Sequence, residues 1–121
     1  MLEFVVVTRE YLLSLLDAWQ QNKITAAELY ETANQLYDAD NTKVLDWENG
    51  DGFSVTMEVL QYLESLNMNF IVQEDIEPCK EFLQTKMGHY KEGTKKWQQY
   101  TSSINYEERM KQLKGQYPYI S

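Results

Sequence analysis

The sequence has few residues of the kinds that build disulfide frameworks and metal centres. It contains one cysteine, Cys79, and one histidine, His89, among 121 residues. A single cysteine cannot form an internal disulfide, which favours a reducing, cytoplasmic setting. A single histidine excludes the two-histidine zinc motifs and the paired Glu-x-x-His sites of di-iron bundles. We therefore expect no metal and no cofactor.

Long apolar runs and common catalytic motifs are also missing. No run approaches the roughly 20 apolar residues that a membrane-spanning helix needs. The apolar start at residues 2–7 is short and contains Glu3, unlike a secretory signal. The sequence has no Gly-x-Gly-x-x-Gly, Walker, Gly-x-Ser-x-Gly or Cys-x-x-Cys motif. We expect neither membrane insertion nor enzymatic activity.

Basic residues are scarce in the first two thirds of the chain. Residues 1–85 carry sixteen Asp and Glu against four Lys and Arg, a net charge of −12. Residues 86–121, the basic C-terminal third, carry seven basic and three acidic residues, a net charge of +4. An acidic body disfavours phosphate binding, which depends on Lys and Arg. We expect the basic third to fold back on the acidic body or to contact a neighbouring subunit, rather than to bind an anionic partner.

Hydrophobic residues make up 43% of the chain and aromatic residues 13%, enough for one hydrophobic core. We interpret residues 1–121 as a single domain, with an extended lead-in at 1–7 and a C-terminal tail at 116–121. Thr25 and Glu28 form a capping box that starts a helix, and Ile24 with Leu29 can form the adjoining hydrophobic staple. The short stretch before it predicts an antiparallel hairpin between helices over residues 9–22 and 26–37.

Further helix starts and ends follow from local signals. Ser54 caps a third helix over residues 55–67, and Asp75 is placed to cap a fourth that has Pro78 in its first turn and ends at Gly88. Residues 91–93 are interpreted as a loop, after which Thr94 caps a fifth helix. Residues 105–108 resemble another capping box, which opens a short sixth helix. The predicted fold is all-α, an irregular bundle of four to six helices built on the N-terminal helical hairpin.

The acidic residues after the second predicted helix suggest two kinds of site. Asp38, Asp40 and Thr42 have the alternate spacing of a calcium loop, but Lys43 and Asn49 occupy positions where that loop needs Gly and Glu. A protein-binding surface is the favoured interpretation, because acidic residues steer association with a basic partner. The predicted partner-binding residues are Glu31, Asp38, Asp40, Asp46, Glu48 and Asp51. The interpretation leaves homodimer formation open.

Two other groups of residues have side chains that could carry out catalysis. Cys79 and His89 can act as nucleophile and base only if the fold brings them together, and Cys79 lies on an apolar helical stripe typical of a buried cysteine. Glu74, Glu77 and Glu81 share a helix face, which is more typical of a solvated surface than of acid or base catalysis.

The basic C-terminal third mixes cations with aromatics, the ingredients of a platform for single-stranded nucleic acid. A nucleic-acid-associated regulator is therefore the alternative hypothesis. We favour the simpler interpretation, in which the aromatics anchor the fifth helix and the lysines keep it solvated. The set is Lys91, Lys95, Lys96, Trp97, Tyr100, Arg109, Lys111 and Lys114.

Residues 15–19, Leu-Leu-Asp-Ala-Trp, followed by residues 23–29, Lys-Ile-Thr-Ala-Ala-Glu-Leu, resemble the opening of several families of small acidic helical bacterial proteins. These include immunity proteins of the colicin D type and uncharacterised families. The resemblance covers about a fifth of the chain and coincides with the capping box. It implies an acidic surface that masks a basic nuclease site, without catalysis.

Overall fold

Helices dominate the computed structural model, which describes residues 5–45 and 54–119. Its mainly helical composition agrees with the all-α class predicted from the sequence. Within these residues there are two short strands, β1 (Val5–Val7) and β2 (Thr42–Val44), and a 3-10 turn at Gln73–Asp75 that precedes the fourth helix. The helices are α1 (Arg9–Gln20), α2 (Ala26–Asp38), α3 (Val55–Glu64), α4 (Ile76–Leu83), α5 (Tyr90–Ser102) and α6 (Tyr106–Leu113).

The two strands pair in parallel, with Val5 opposite Thr42 and Val7 opposite Val44. Parallel neighbours need a crossover connection, and α1 and α2 supply it. Val7 is fully buried, so the strand pair fastens the start of the described chain to the core. The pairing also places β2 directly after the C-terminal end of α2.

Four helix starts are capped by side chains, and three of these caps, at Thr25, Ser54 and Asn105, are predicted from the sequence. At α2, Thr25 Oγ1 accepts from the Glu28 backbone N–H at 3.1 Å, and Glu28 Oε1 accepts from the Thr25 backbone N–H at 3.1 Å. This reciprocal pair is the predicted capping box. A side-chain oxygen accepts from a backbone N–H of the first turn at each of the four starts, which are Thr8, Thr25, Ser54 and Asn105.

The core lies where α3 and α4 meet the two N-terminal helices. α2 packs most extensively along α3, and its contact with α1 is smaller. α4 contacts α1, α3 and α5, so it occupies the centre of the arrangement. None of the helices in the described ranges is long and apolar enough to cross a membrane. Buried apolar residues of the two N-terminal helices are Leu12, Leu16, Trp19, Leu29, Ala33 and Leu36.

The fourth and fifth helices differ from their predicted bounds. α4 ends at Leu83, before the predicted stop at Gly88, and residues 91–93 are helical rather than a loop. The helix start predicted at Thr94 is therefore wrong, because α5 already begins at Tyr90. Gly93 lies within α5 and packs closely against Thr85. A Cβ atom at this position would be 2.3 Å from Thr85 Oγ1, so only glycine fits without a shift. A close approach between elements, not a turn, accounts for this glycine.

Candidate interaction surface

The predicted partner-binding residues that the structure describes lie on α2 and just beyond it. Glu31, Asp38 and Asp40 are all exposed. Glu31 accepts a hydrogen bond from the Tyr117 hydroxyl at 3.0 Å, so it already contacts the C-terminal part of the chain. The remaining three predicted residues, Asp46, Glu48 and Asp51, lie outside the described residues.

Asp38 occupies an electrostatically unfavourable position. It is the last residue of α2, where the helix dipole presents its negative end, and the last turn of α2 contains no basic residue. No ion pair joins Asp38 or Asp40 to any of the residues in the described ranges. Both carboxylates are therefore solvent-facing charges without a neutralising partner in the described part of the chain.

A groove opens beside these two carboxylates, between α2, β2 and α3. It has a volume of about 330 Å³, and we call it the α2–α3 groove. Buried Leu36 and Leu60 contribute to it, as does the 43% exposed Tyr37. The groove is lined by Leu36, Tyr37, Ala39, Thr42, Val44, Met57, Leu60 and Gln61.

Thr42 lines this groove and carries a hydroxyl group. Its Oγ1 is buried and makes no hydrogen bond, which is uncommon because buried polar atoms are normally paired. Thr42 and Val44 line the groove from alternate positions of β2, and Lys43 between them therefore points to the opposite face of the strand. The hydroxyl oxygen has almost no solvent-accessible surface, so it is not presented to a ligand in the groove.

A second polar feature, centred on Asp75, is buried and saturated. The Asp75 carboxylate is 1% exposed and receives Arg109 Nη1 at 2.7 Å and Nη2 at 3.0 Å. It also accepts from the Tyr100 hydroxyl and from the Val72 backbone N–H at 2.9 Å. These donors use the carboxylate's acceptor capacity. Asp75 is the N-cap residue of α4, as predicted, but its side chain makes no capping hydrogen bond there because its oxygens accept from these donors instead.

Several tyrosines surround this carboxylate and are held in their neutral form. Burial, followed by the interaction with Asp75, raises the pKa of Tyr100 and the pKa of Tyr119 to about 12. Burial and the Asp75 charge also raise the pKa of Tyr62. The Tyr119 hydroxyl donates to the Ile71 carbonyl, which fixes the end of the described chain against this cluster. The arrangement stabilises the fold and offers no free acid or base.

The basic C-terminal third packs against the acidic body through this cluster and through α4. Lys96 Nζ lies 3.5 Å from Glu81 Oε1, and the indole of Trp97 stacks on Phe82 with ring centroids 5.5 Å apart. Three members of the predicted nucleic-acid platform, Trp97, Tyr100 and Arg109, therefore contact the body of the protein. The exposed lysines remain, but these two aromatics are not presented as an open stacking surface.

A groove of about 360 Å³ lies between α4 and α5, and we call it the α4–α5 groove. Its charged rim is largely paired within itself, since Lys96 faces Glu81 and His89 Nδ1 lies 2.6 Å from Glu92 Oε2. Lys86 also lines the groove, so both signs of charge are present at its rim. It is lined by Pro78, Glu81, Phe82, Gln84, Thr85, Lys86, His89, Glu92, Gly93, Lys96, Trp97 and Tyr100.

The other candidate groups are placed as follows. Cys79 is 1% exposed on α4, burial raises the pKa of its thiol, and it does not line the groove that His89 lines. Glu74, Glu77 and Glu81 are exposed, and Glu77 accepts from Gln20 Nε2 at 2.8 Å. Across residues 5–45 and 54–119, no three His, Cys, Asp or Glu side chains are grouped as a metal site would require.

Sequence reasoning identified the acids of this surface but not the groove beside them. Leu36 lies on α2, whereas Met57 on α3 and Val44 on β2 come from segments that are distant in sequence. Tyr37, an exposed aromatic residue next to Leu36, is the one sequence signal for an apolar surface beyond the core. No family model, curated protein or solved structure matches the chain.

Proposed function

We propose that the protein is a non-enzymatic binding module whose acidic surface at the end of α2 recognises a basic protein partner. The position of Asp38 supports this proposal most strongly. Its carboxylate faces solvent at the negative end of a helix and has no ion-pair partner in the described part of the chain. Such a charge costs stability locally, and a basic partner would offset that cost. Asp40 and Glu31 extend the same negative surface.

The proposal includes an immunity-type or inhibitor role, in which the module masks a basic site on its partner. Support comes from the acidic composition and from the resemblance of residues 15–29 to the opening of small immunity proteins. Complementary charge of this kind accelerates association and suppresses partners of like charge. The proposal also keeps a cytoplasmic setting and an irregular bundle founded on the α1–α2 hairpin.

The nucleic-acid alternative has less support. Arg109 is committed to Asp75, Trp97 packs on Phe82 and the Tyr100 hydroxyl donates to Asp75, so the aromatics predicted to stack on a single strand contact the protein itself. Titration with a single-stranded oligonucleotide at low salt separates the two hypotheses. Salt-sensitive binding to the oligonucleotide would favour the alternative, and absence of binding would favour the acidic module.

The direct test is affinity capture from the source cell with quantitative mass spectrometry. A triple variant Glu31→Gln, Asp38→Asn, Asp40→Asn should lose a basic partner that the unmodified protein captures. A matched variant, Glu10→Gln, Glu74→Gln, Glu107→Gln, changes the net charge equally at other exposed positions and should retain it. Equal capture by both variants would contradict the proposal, as would the absence of any basic partner.

A further inference from the structure

We propose that the α2–α3 groove receives one apolar side chain of a basic partner segment, whose flanking Lys or Arg residues then pair with Asp38 and Asp40. This inference rests on the proposed function and specifies the chemistry of the partner. Tyr37, Ala39 and Thr42 line the groove, and Asp38 and Asp40 are immediate sequence neighbours of the first two. The same segment can therefore meet the groove and both charges.

The size and lining of the groove favour an apolar anchor. Its volume of about 330 Å³ is at the lower end of the range for small binding sites and is sufficient for one apolar side chain. Leu36, Val44, Met57 and Leu60 supply hydrocarbon surface that a leucine-like side chain would remove from water. A single buried anchor surrounded by polar contacts is the usual arrangement of an interface hot spot.

The unpaired acidic residues near the α2–α3 groove favour a basic partner segment there and not at the α4–α5 groove. Asp38 and Asp40 have no ion pair among the described residues, and Lys43 points away from the groove on the opposite face of β2. The rim of the α4–α5 groove instead carries the pairs Lys96 with Glu81 and His89 with Glu92, and Lys86 also lines it. The uncompensated negative potential is therefore at the α2–α3 groove.

Two synthetic peptides test the inference. The first, Lys-Arg-Gly-Leu-Gly-Arg-Lys, carries an apolar anchor, and the second has Ser in place of the central Leu. Fluorescence anisotropy at low salt should show the Leu peptide binding about tenfold more tightly, as expected for burial of one leucine side chain. An Ala39→Phe variant fills the groove from a position with extended backbone and should abolish the preference for Leu. Circular dichroism confirms that each variant is folded before binding is measured.

The outcomes distinguish this inference from the proposed function. If the two peptides bind equally, and only Asp38→Asn with Asp40→Asn weakens them, the groove is not the anchor site and the inference is overturned while the acidic module stands. If neither peptide binds, or if neutralising the two acids has no effect, both proposals fail. A Leu preference that Ala39→Phe removes supports the inference.

Discussion

Arg109 on α6 makes a two-pronged ion pair with Asp75, which lies at the start of α4 and 34 residues earlier in the chain. Asp75 is 1% exposed, so the pair is formed in the interior of the protein. Arg109 Nη1 also donates to the Phe70 carbonyl at 3.2 Å. One guanidinium therefore joins the basic C-terminal third to the acidic body.

Arg109→Met should destabilise the protein by about 3 kcal/mol, because it leaves a buried carboxylate without its countercharge. Urea denaturation measures the change in the free energy of unfolding. Lys111→Met, at an exposed position on the same helix, should cost less than about 0.5 kcal/mol. A double variant with Asp75→Asn should be less destabilised than the sum of its two single variants. Equal, small effects of the two methionine substitutions would show that the pair is not structurally important.

Gly93→Ala should destabilise the protein, although the same change normally stabilises a helix interior by about 1 kcal/mol. A Cβ at this position would lie 2.3 Å from Thr85 Oγ1 and 2.7 Å from Thr85 Cγ2. Combining it with Thr85→Ala removes both of these atoms and should restore part of the loss. Thermal unfolding of the two single variants and the double variant measures this coupling. Gln98→Ala at an exposed position of α5 is the control, and a stabilising effect of Gly93→Ala would be inconsistent with the close approach.

Stability should fall as the pH rises from about 10 to 12. The pKa of Tyr100 and the pKa of Tyr119 are raised to about 12 by burial and by Asp75, above the ordinary tyrosine value of 10.0. Their stabilising contribution is complete below pH 10 and is lost as the pH passes the folded pKa, since only the unfolded state releases these protons readily. Tyrosinate absorbance during titration should show at least two late-ionising tyrosines that ionise at ordinary pH in urea. Ionisation of every tyrosine near pH 10 in the folded protein would contradict the described cluster.

Asp38→Asn should raise the stability of the free protein by about 0.3–1 kcal/mol, because it removes an anion from the negative end of α2. Glu10→Gln provides the opposite case, since Glu10 lies in the first turn of α1, where an anion is favourable. Chemical denaturation should therefore give changes of opposite sign for the two variants. A destabilising effect of Asp38→Asn would indicate that this carboxylate has a structural role, which would weaken its proposed role in binding.

The parts of the fold that could be predicted from sequence depend on neighbouring residues. Thr25 and Glu28 are three residues apart, and their hydrogen bonds require only that a helix begins there. The parts that sequence reasoning missed depend on distant residues. The sequence predicts a local capping role for Asp75 because its actual partner, Arg109, is 34 residues away. It predicts a loop at residues 91–93 because a glycine such as Gly93 usually marks a turn, and the close packing of Thr85 against Gly93 has no local signal.

The candidate surface divides in the same way. The exposed acids Asp38 and Asp40 could be predicted because charge and turn propensity are properties of the residues themselves. The groove beside them could not, since it forms only when β2 returns to β1 and α3 packs along α2. The unpaired hydroxyl of Thr42 has no sequence signal, because a threonine in a strand usually faces solvent or finds a partner.

The most direct test of the binding surface is an amide chemical-shift map of the isotope-labelled protein titrated with the Leu-containing basic peptide. The account predicts the largest shift changes at residues 36–44 and 57–61, with residues 86–100 little affected. Changes concentrated at residues 86–100, or spread evenly over the acidic surface, would contradict it.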